Sequence, residues 1–164
     1  MKLPKETTRL YFQPITAKHR SFLEVLFKRS MLPFVNQNHH IEQCMNHIRN
    51  QYITFKIGLW AVHRKTDHKA IGVAGLLLNK INHNTVIELG YAIHPDYQGE
   101  GYATEAARSC CLFGFHVHRF PKIYARAHPD NKRSISVLQN LDFLCRQEIG
   151  EAEPSLLFES TSIM

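Results

Sequence analysis

The sequence predicts an α+β domain built on a mixed, mostly antiparallel sheet. Two observations predict it. Between residues 55 and 94, three segments rich in β-formers, FKIGLWAVHR, KAIGVAGLLLN and TVIELGYAIH, are separated only by KTDH and KINHN, the pattern of consecutive antiparallel strands. Helical spacing flanks this block on both sides. A doubly wound parallel sheet, which alternates strand and helix throughout, is therefore excluded.

Taken in order, TRLYFQP at residues 8 to 14 has the aromatic and branched content of a short strand, ended by Pro14. Thr16 is an N-cap for a helix through Ser30 that aligns Phe22, Leu23, Leu26 and Phe27. A second helix spans His39 to Asn50, with Ile41, Met45 and Ile48 as its apolar stripe. After the three-strand block come a helix from Tyr102 to about His118, a strand over KIYARA from Lys122, and a helix from Asn131 to Leu141. FLCRQE and SLLFES close the chain as two short strands.

No repeat, low-complexity tract or linker divides the chain, so residues 1 to 164 are read as one domain, large enough to bury a core without disulfides. Cys110 and Cys111 are adjacent, Cys44 and Cys145 are isolated, and no CxxC pair is present; free thiols in a reducing compartment are expected. MKLPKETTRLYFQPI lacks the apolar segment of a signal peptide, and no run approaches the roughly 18 apolar residues of a membrane helix. A cytoplasmic protein without membrane contact is the expectation. The net charge of +6 suits a polyanionic partner. The basic residues are scattered through KHR, FKRS, HRK and DNKR, which speaks against specific nucleic-acid binding and leaves a phosphate-rich small molecule.

HPDYQGEGYATEAA, residues 94 to 107, carries the sharpest signal. Gly99 and Gly101 free the backbone to bend just before a helix whose N-terminus attracts anions. It is not a Walker loop, because Tyr102 and Ala103 follow where Lys and Ser or Thr are required. Nor is it a dinucleotide fingerprint: Thr104 replaces the third glycine, and no acidic residue stands about 20 positions later. QGEGYA does fit Q-x-x-G-x-A.

With that loop the sequence resembles the GNAT superfamily of CoA-dependent N-acetyltransferases, and within it the RimJ/RimL-type branch. TTRLYFQPIT, IELGYAIHPDY, GEGYATEAA and HPDNKRSISVLQNLDF carry the resemblance in order, from about Thr8 to Phe158. It implies the GNAT fold, about seven strands flanked by about four helices, with the fourth and fifth strands splayed apart. Acetyl-CoA is the implied acyl donor. Its two phosphates would lie on the loop and helix start formed by Gln98, Gly99, Glu100, Gly101, Tyr102, Ala103 and Thr104, with the Glu100 side chain turned to solvent. The resemblance also implies that Tyr91, Ala92 and Ile93 pair with the pantetheine arm, that the Ile93 amide faces the thioester oxygen, and that Asn131 hydrogen-bonds the arm. Two positions depart from the branch. Gln98 replaces its usual Trp, and Asp142 replaces the glycine after the last helix, where some left-handed strain is expected.

Acetyl transfer needs a neutral amine, so a base or water must take its proton. Glu88, in IELGY beside the implied splay, is the first candidate; the alternative is an exposed carboxylate paired with a cross-strand Lys or Arg. The resemblance offers Glu148, Glu151 and Glu153 instead. Ser134, three residues after Asn131, is positioned to touch the donor and protonate the departing thiolate, or merely to satisfy its helix start. Lys132 and Arg133 are candidates for the 3'-phosphate. His40, Cys44 and His47 share a helical face, yet no fourth ligand accompanies them and no metal is assigned. His39, His40 and His47 are instead candidates for the acceptor side. The expected activity is acetylation of a primary amine by direct attack in a ternary complex, the acceptor being a protein N-terminus, such as that of a ribosomal protein, or a small molecule. A non-catalytic acyl-CoA sensor or interaction module on the same fold is the competing class. Monomer and homodimer both stay open.

Overall fold

The computed structural model describes residues 1–30, 32, 40–150 and 154–162. Seven strands form one sheet in the order β1-β2-β3-β4-β5-β7-β6. They are β1 Leu10–Pro14, β2 Gly58–Arg64, β3 Ala70–Ile81, β4 Asn84–Ile93, β5 Ile123–Ala127, β6 Leu144–Ile149 and β7 Ser155–Ser160. All neighbours run antiparallel except β4 and β5, which are parallel and share a single registered pair, Glu88 with Tyr124. Beyond that pair the two strands separate, giving the splay that the resemblance implied.

Helices α1 Arg20–Arg29 and α2 Ile41–Phe55 cover one face. Leu23, Leu26, Phe27, Met45 and Ile48 meet Leu59, Val73 and Leu77 there. Helices α3 Tyr102–Leu112 and α4 Lys132–Asn140 cover the other, where Tyr102, Ala106, Cys110 and Leu138 pack on Trp60, Ala74, Leu89 and Ile93. The period-2 alternation of β3 and β4 produces this division: neighbouring residues feed opposite cores. Each fully buried leucine contributes on the order of 1.5–3 kcal/mol. Gly75 lets β2 and β3 approach, since a Cβ there would fall 1.9 Å from the Gly58 carbonyl oxygen.

Three element boundaries differ from the sequence reading. A 3-10 turn over Ala17–His19 precedes α1, still opened by Thr16. Helix α2 runs five residues past Asn50, through QYITF, despite the β-forming content of that stretch. Tertiary bonds hold it: Gln51 gives and takes bonds with the Leu78 backbone at 3.0 Å each, and the Tyr52 hydroxyl receives the Ile15 amide and donates to the Leu59 carbonyl. The third predicted helix is α-helical only to Leu112 and widens into a π-turn over Phe113–Val117. That turn seats Gly114 against Leu76 and Ile123. As expected, Asp142 takes the left-handed conformation, φ 59°, after α4. The bonds from Asp142 to Gln139 and from Phe143 to Leu138 make it a Schellman cap.

Candidate active site

The loop at residues 98–101 joins the end of β4 to the start of α3. Gly99 and Gly101 sit at φ 83° and 80°, where other residues are strained, and a Cβ on Gly99 would meet open space. Glu105 is the first α3 amide bonded to the loop, at the Gly101 carbonyl, so the amides of the first turn remain for an external acceptor. The Glu100 side chain is exposed, which keeps its charge off those amides. Arg9 of β1's approach braces the loop from behind: its guanidinium donates to the Glu100 carbonyl at 3.0 Å and to Glu105 at 2.7 Å, and stacks 4.3 Å from the Tyr102 ring. Burial pushes the Glu105 carboxyl up, but bonds from Thr7 and Arg9 outweigh it and leave the group below its ordinary value.

The loop stands over the splay. His94 donates to Ile71 at 2.8 Å, and bonded pairs alternate along an antiparallel ladder, so the amides of Tyr91 and Ile93 turn away from β3 and into the gap before β5. On the far wall, Asn131 caps α4 by accepting the Ser134 amide at 3.1 Å. The Tyr91 hydroxyl reaches across to the Ser134 carbonyl at 3.0 Å and its Oγ at 2.8 Å. Burial pushes the Tyr91 hydroxyl pKa up, only partly offset by Ser134, and keeps it protonated. At the mouth, Gln98 donates to the Ile93 carbonyl at 2.8 Å and receives Arg133.

Residues 9–144 match the family model described as an acetyltransferase (GNAT) domain. The chain belongs to the GNAT acetyltransferase family. The Bacillus subtilis protein YkkB is 36% identical over 87 residues, covering 53% of this chain and 51% of that one. The Escherichia coli K12 spermidine N(1)-acetyltransferase is 36% identical over 78 residues, 46% of this chain and 42% of the relative. These matches thus span about half the length of the curated relatives. The crystal structure of a ribosomal-protein-S5-alanine acetyltransferase from Vibrio fischeri superposes with TM-score 0.76 at 20% identity, covering 98% of this chain and 97% of that one, a likeness of fold.

GNAT acetyltransferases take acetyl-CoA as acyl donor. The chain's residues fit it: glycine-opened amides at a helix start suit a pyrophosphate, and the inward amides of Tyr91 and Ile93 suit a slender polyamide. Ala92, between them, bonds to β3 and turns its side chain to the α1/α2 core.

The acid-base candidates are distributed differently. Glu88 is fully buried rather than exposed, and it is paired. Arg126 of β5 grips it through Nε at 2.7 Å and a terminal nitrogen at 2.9 Å, while Asn79 donates at 2.7 Å. Each carboxylate oxygen is engaged. Glu148 lies exposed on the edge strand β6, opposite Leu156, while Glu151 and Glu153 lie outside the described residues. His39 lies outside them too; His40, at the N-cap of α2, and His47, on α2, are exposed. Among the described residues no three His, Cys, Asp or Glu side chains converge as a metal set, His40, Cys44 and His47 included. Lys132 and Arg133 are exposed at the start of α4, Lys132 folding back to the Pro129 carbonyl. Sequence reasoning missed Arg126, the Arg9 brace and the Tyr91 hydroxyl. The aromatic at position 91 and the lone arginine in KIYARA were the only local traces of them.

Proposed function

We propose that this protein transfers the acetyl group of acetyl-CoA to a primary amine by direct attack within a ternary complex, as a member of the RimJ/RimL-like branch. The observation that carries the reading is the splay with the Tyr91 and Ile93 amides turned into it beneath the glycine loop. Spermidine stands in the name of one relative and a ribosomal-protein alanine in that of a structural neighbour; each offers a primary amine.

Acetyl-CoA supplies an activated acyl carbon whose C–S bond breaks as the amine nitrogen bonds to it. The amides of residues 99–104 hold the phosphates, and those of Tyr91 and Ile93 align the arm and receive the carbonyl oxygen. Tyr91 lies further from the phosphate loop and nearer the reacting end. Ser134, hydrogen-bonded to the protonated Tyr91 hydroxyl, offers a hydrogen bond to the departing thiolate, which takes up the proton that water removed from the amine. Glu88 serves as the ionic partner of Arg126 and holds β4 to β5. The amine reacts from its neutral fraction, and water removes the proton; an α-amine of pKa near 8 is roughly a tenth neutral at pH 7, far more than a lysine.

Acetyl-CoA at about 100 times its dissociation constant is expected to add roughly 2.7 kcal/mol to stability. Thiol release across a panel of amines then separates an enzyme from a sensor. Absence of the stability gain refutes the cradle; the gain without thiol release from any amine favours the sensor.

A further inference from the structure

At one peptide of the glycine loop the backbone does not decide its own direction. The unit joining Glu100 to Gly101 turns over by rotation about ψ of Glu100 and φ of Gly101 alone, and glycine accepts either sign of φ. One orientation offers an anion the Gly101 N–H. The other offers it a carbonyl oxygen, which repels it. Because a peptide is planar and trans, a group that holds the carbonyl on one side aims the N–H to the opposite side.

Arg9 holds that carbonyl. One terminal nitrogen of its guanidinium donates to the Glu100 oxygen at 3.0 Å, while Nε and the other terminal nitrogen lie 2.7 and 2.6 Å from Glu105 Oε2. All three nitrogens are engaged within the protein, and one face of the group covers the Tyr102 ring at 4.3 Å. A Cβ on Gly101 would lie 3.6 Å from the guanidinium, whereas one on Gly99 would meet open space, so the loop has a side lined by Arg9 and an open one. The Gly101 amide, turned away from Arg9, has no partner among the described residues.

The guanidinium is itself fixed. Glu105 Oε1 accepts the Thr7 hydroxyl at 2.5 Å and the Arg9 amide at 3.1 Å. The Lys65 ammonium donates to the Thr7 carbonyl at 2.7 Å, and the Lys65 amide to the Arg9 carbonyl at 2.9 Å. Residues 7 to 9 are thus tied to the end of β2 on one side and to the first turn of α3 on the other. A planar fork addresses a carboxylate and a carbonyl at once, which a lysine ammonium does not reproduce.

We propose that Arg9 is a positioning residue for the acyl donor: it sets the affinity for CoA by fixing the Glu100–Gly101 peptide with its N–H toward the pyrophosphate. The inference rests on the reading of the loop given above.

The test titrates CoA calorimetrically into the wild type, Arg9→Met, Arg9→Lys and Ser109→Ala. Methionine keeps the stem over Tyr102 and removes every donor, so the Kd for CoA is expected to rise about 10-fold or more, through one lost charge-assisted bond and a loop no longer preorganised. Arg9→Lys, which reaches one partner at a time, falls between. In steady-state assays the KM for acetyl-CoA rises with the Kd, while kcat at saturating donor and the KM for the amine stay within about twofold. Ser109→Ala removes the 2.5 Å bond from Ser109 to the Lys5 carbonyl, one turn further along α3, and is expected to lower Tm with CoA affinity kept. Wild-type affinity in Arg9→Met overturns the inference, as does a loss in Ser109→Ala as large as that in Arg9→Met, since affinity then follows general stability. If Arg9→Met does not fold, Arg9→Lys decides, and wild-type affinity in it overturns the inference. A wild type that does not bind CoA overturns both this inference and the reading of the loop; CoA binding without transfer to any amine removes the activity alone, because the Kd is read without turnover.

Discussion

Glu88→Gln separates a structural carboxylate from a catalytic one. The side chain is fully buried, Arg126 is about one-fifth exposed, and two charge-assisted bonds of 2.7 and 2.9 Å join them. Removing one partner from such a pair costs about 3–5 kcal/mol, because the remaining charge stays desolvated. Glutamine keeps the shape and one acceptor oxygen, which places the loss near the lower end, about 3 kcal/mol. For a chain of this size that is a fall of roughly 6–12 °C in Tm. Urea denaturation and calorimetry measure it, and the single variants Glu88→Leu and Arg126→Met together with their double variant close a thermodynamic cycle. The double variant is expected within about 1–2 kcal/mol of the wild type, since an apolar pair replaces a buried ionic one at little net cost. A Glu88→Gln protein that melts with the wild type yet loses a hundredfold or more in thiol release refutes this reasoning and returns Glu88 to the role of base.

Three further outcomes are expected. Asp142→Gly relieves the left-handed strain at the end of α4 and raises stability by up to about 1 kcal/mol, or about 2–4 °C, with activity unchanged. Gly99→Ala costs about 1–2 kcal/mol of folding stability at φ 83° and projects a methyl into the open side of the loop; titration should show acetyl-CoA affinity at least about 10-fold weaker. His19 is held below its ordinary value of 6.5 by burial first and by His63 second. Below pH 6.5 the unfolded chain takes up a proton that folded His19 refuses, so stability falls with falling pH until the folded pKa is passed, and His19→Gln should flatten that slope.

Much of the architecture was legible because local pattern and tertiary structure agree. The strand block from Gly58 to Ile93 announces itself by composition and short breaks, and the glycine loop by two residues whose backbone freedom the turn uses. The π-turn was illegible because Gly114 answers to Leu76 and Ile123, far away in sequence. The end of α2 was misread for the same reason, its β-forming residues being overruled by bonds from Gln51 and Tyr52 to strands. At the candidate site, the bend at Gly99 and Gly101 is sequence-local and was readable; the partner of Glu88 was not. Arg126 lies 38 residues away, and only the parallel pairing of β4 with β5 brings it near. The sequence offered an exposed surface pair, and the fold supplied a buried one.

The single registered pair between β4 and β5 has a consequence for solubility. Exposed strand edges invite addition of foreign strands, and this molecule carries such an edge in its interior, where the Tyr91 and Ile93 peptides face no neighbour strand. The tie from Tyr91 to Ser134 spans the cleft, and the contact of Arg133 with Gln98 crosses its mouth. A foreign strand meets those two ties before it can pair along the gap. A row of backbone groups left without a strand partner, elsewhere an aggregation hazard, here lies under side-chain ties that block the addition of another strand.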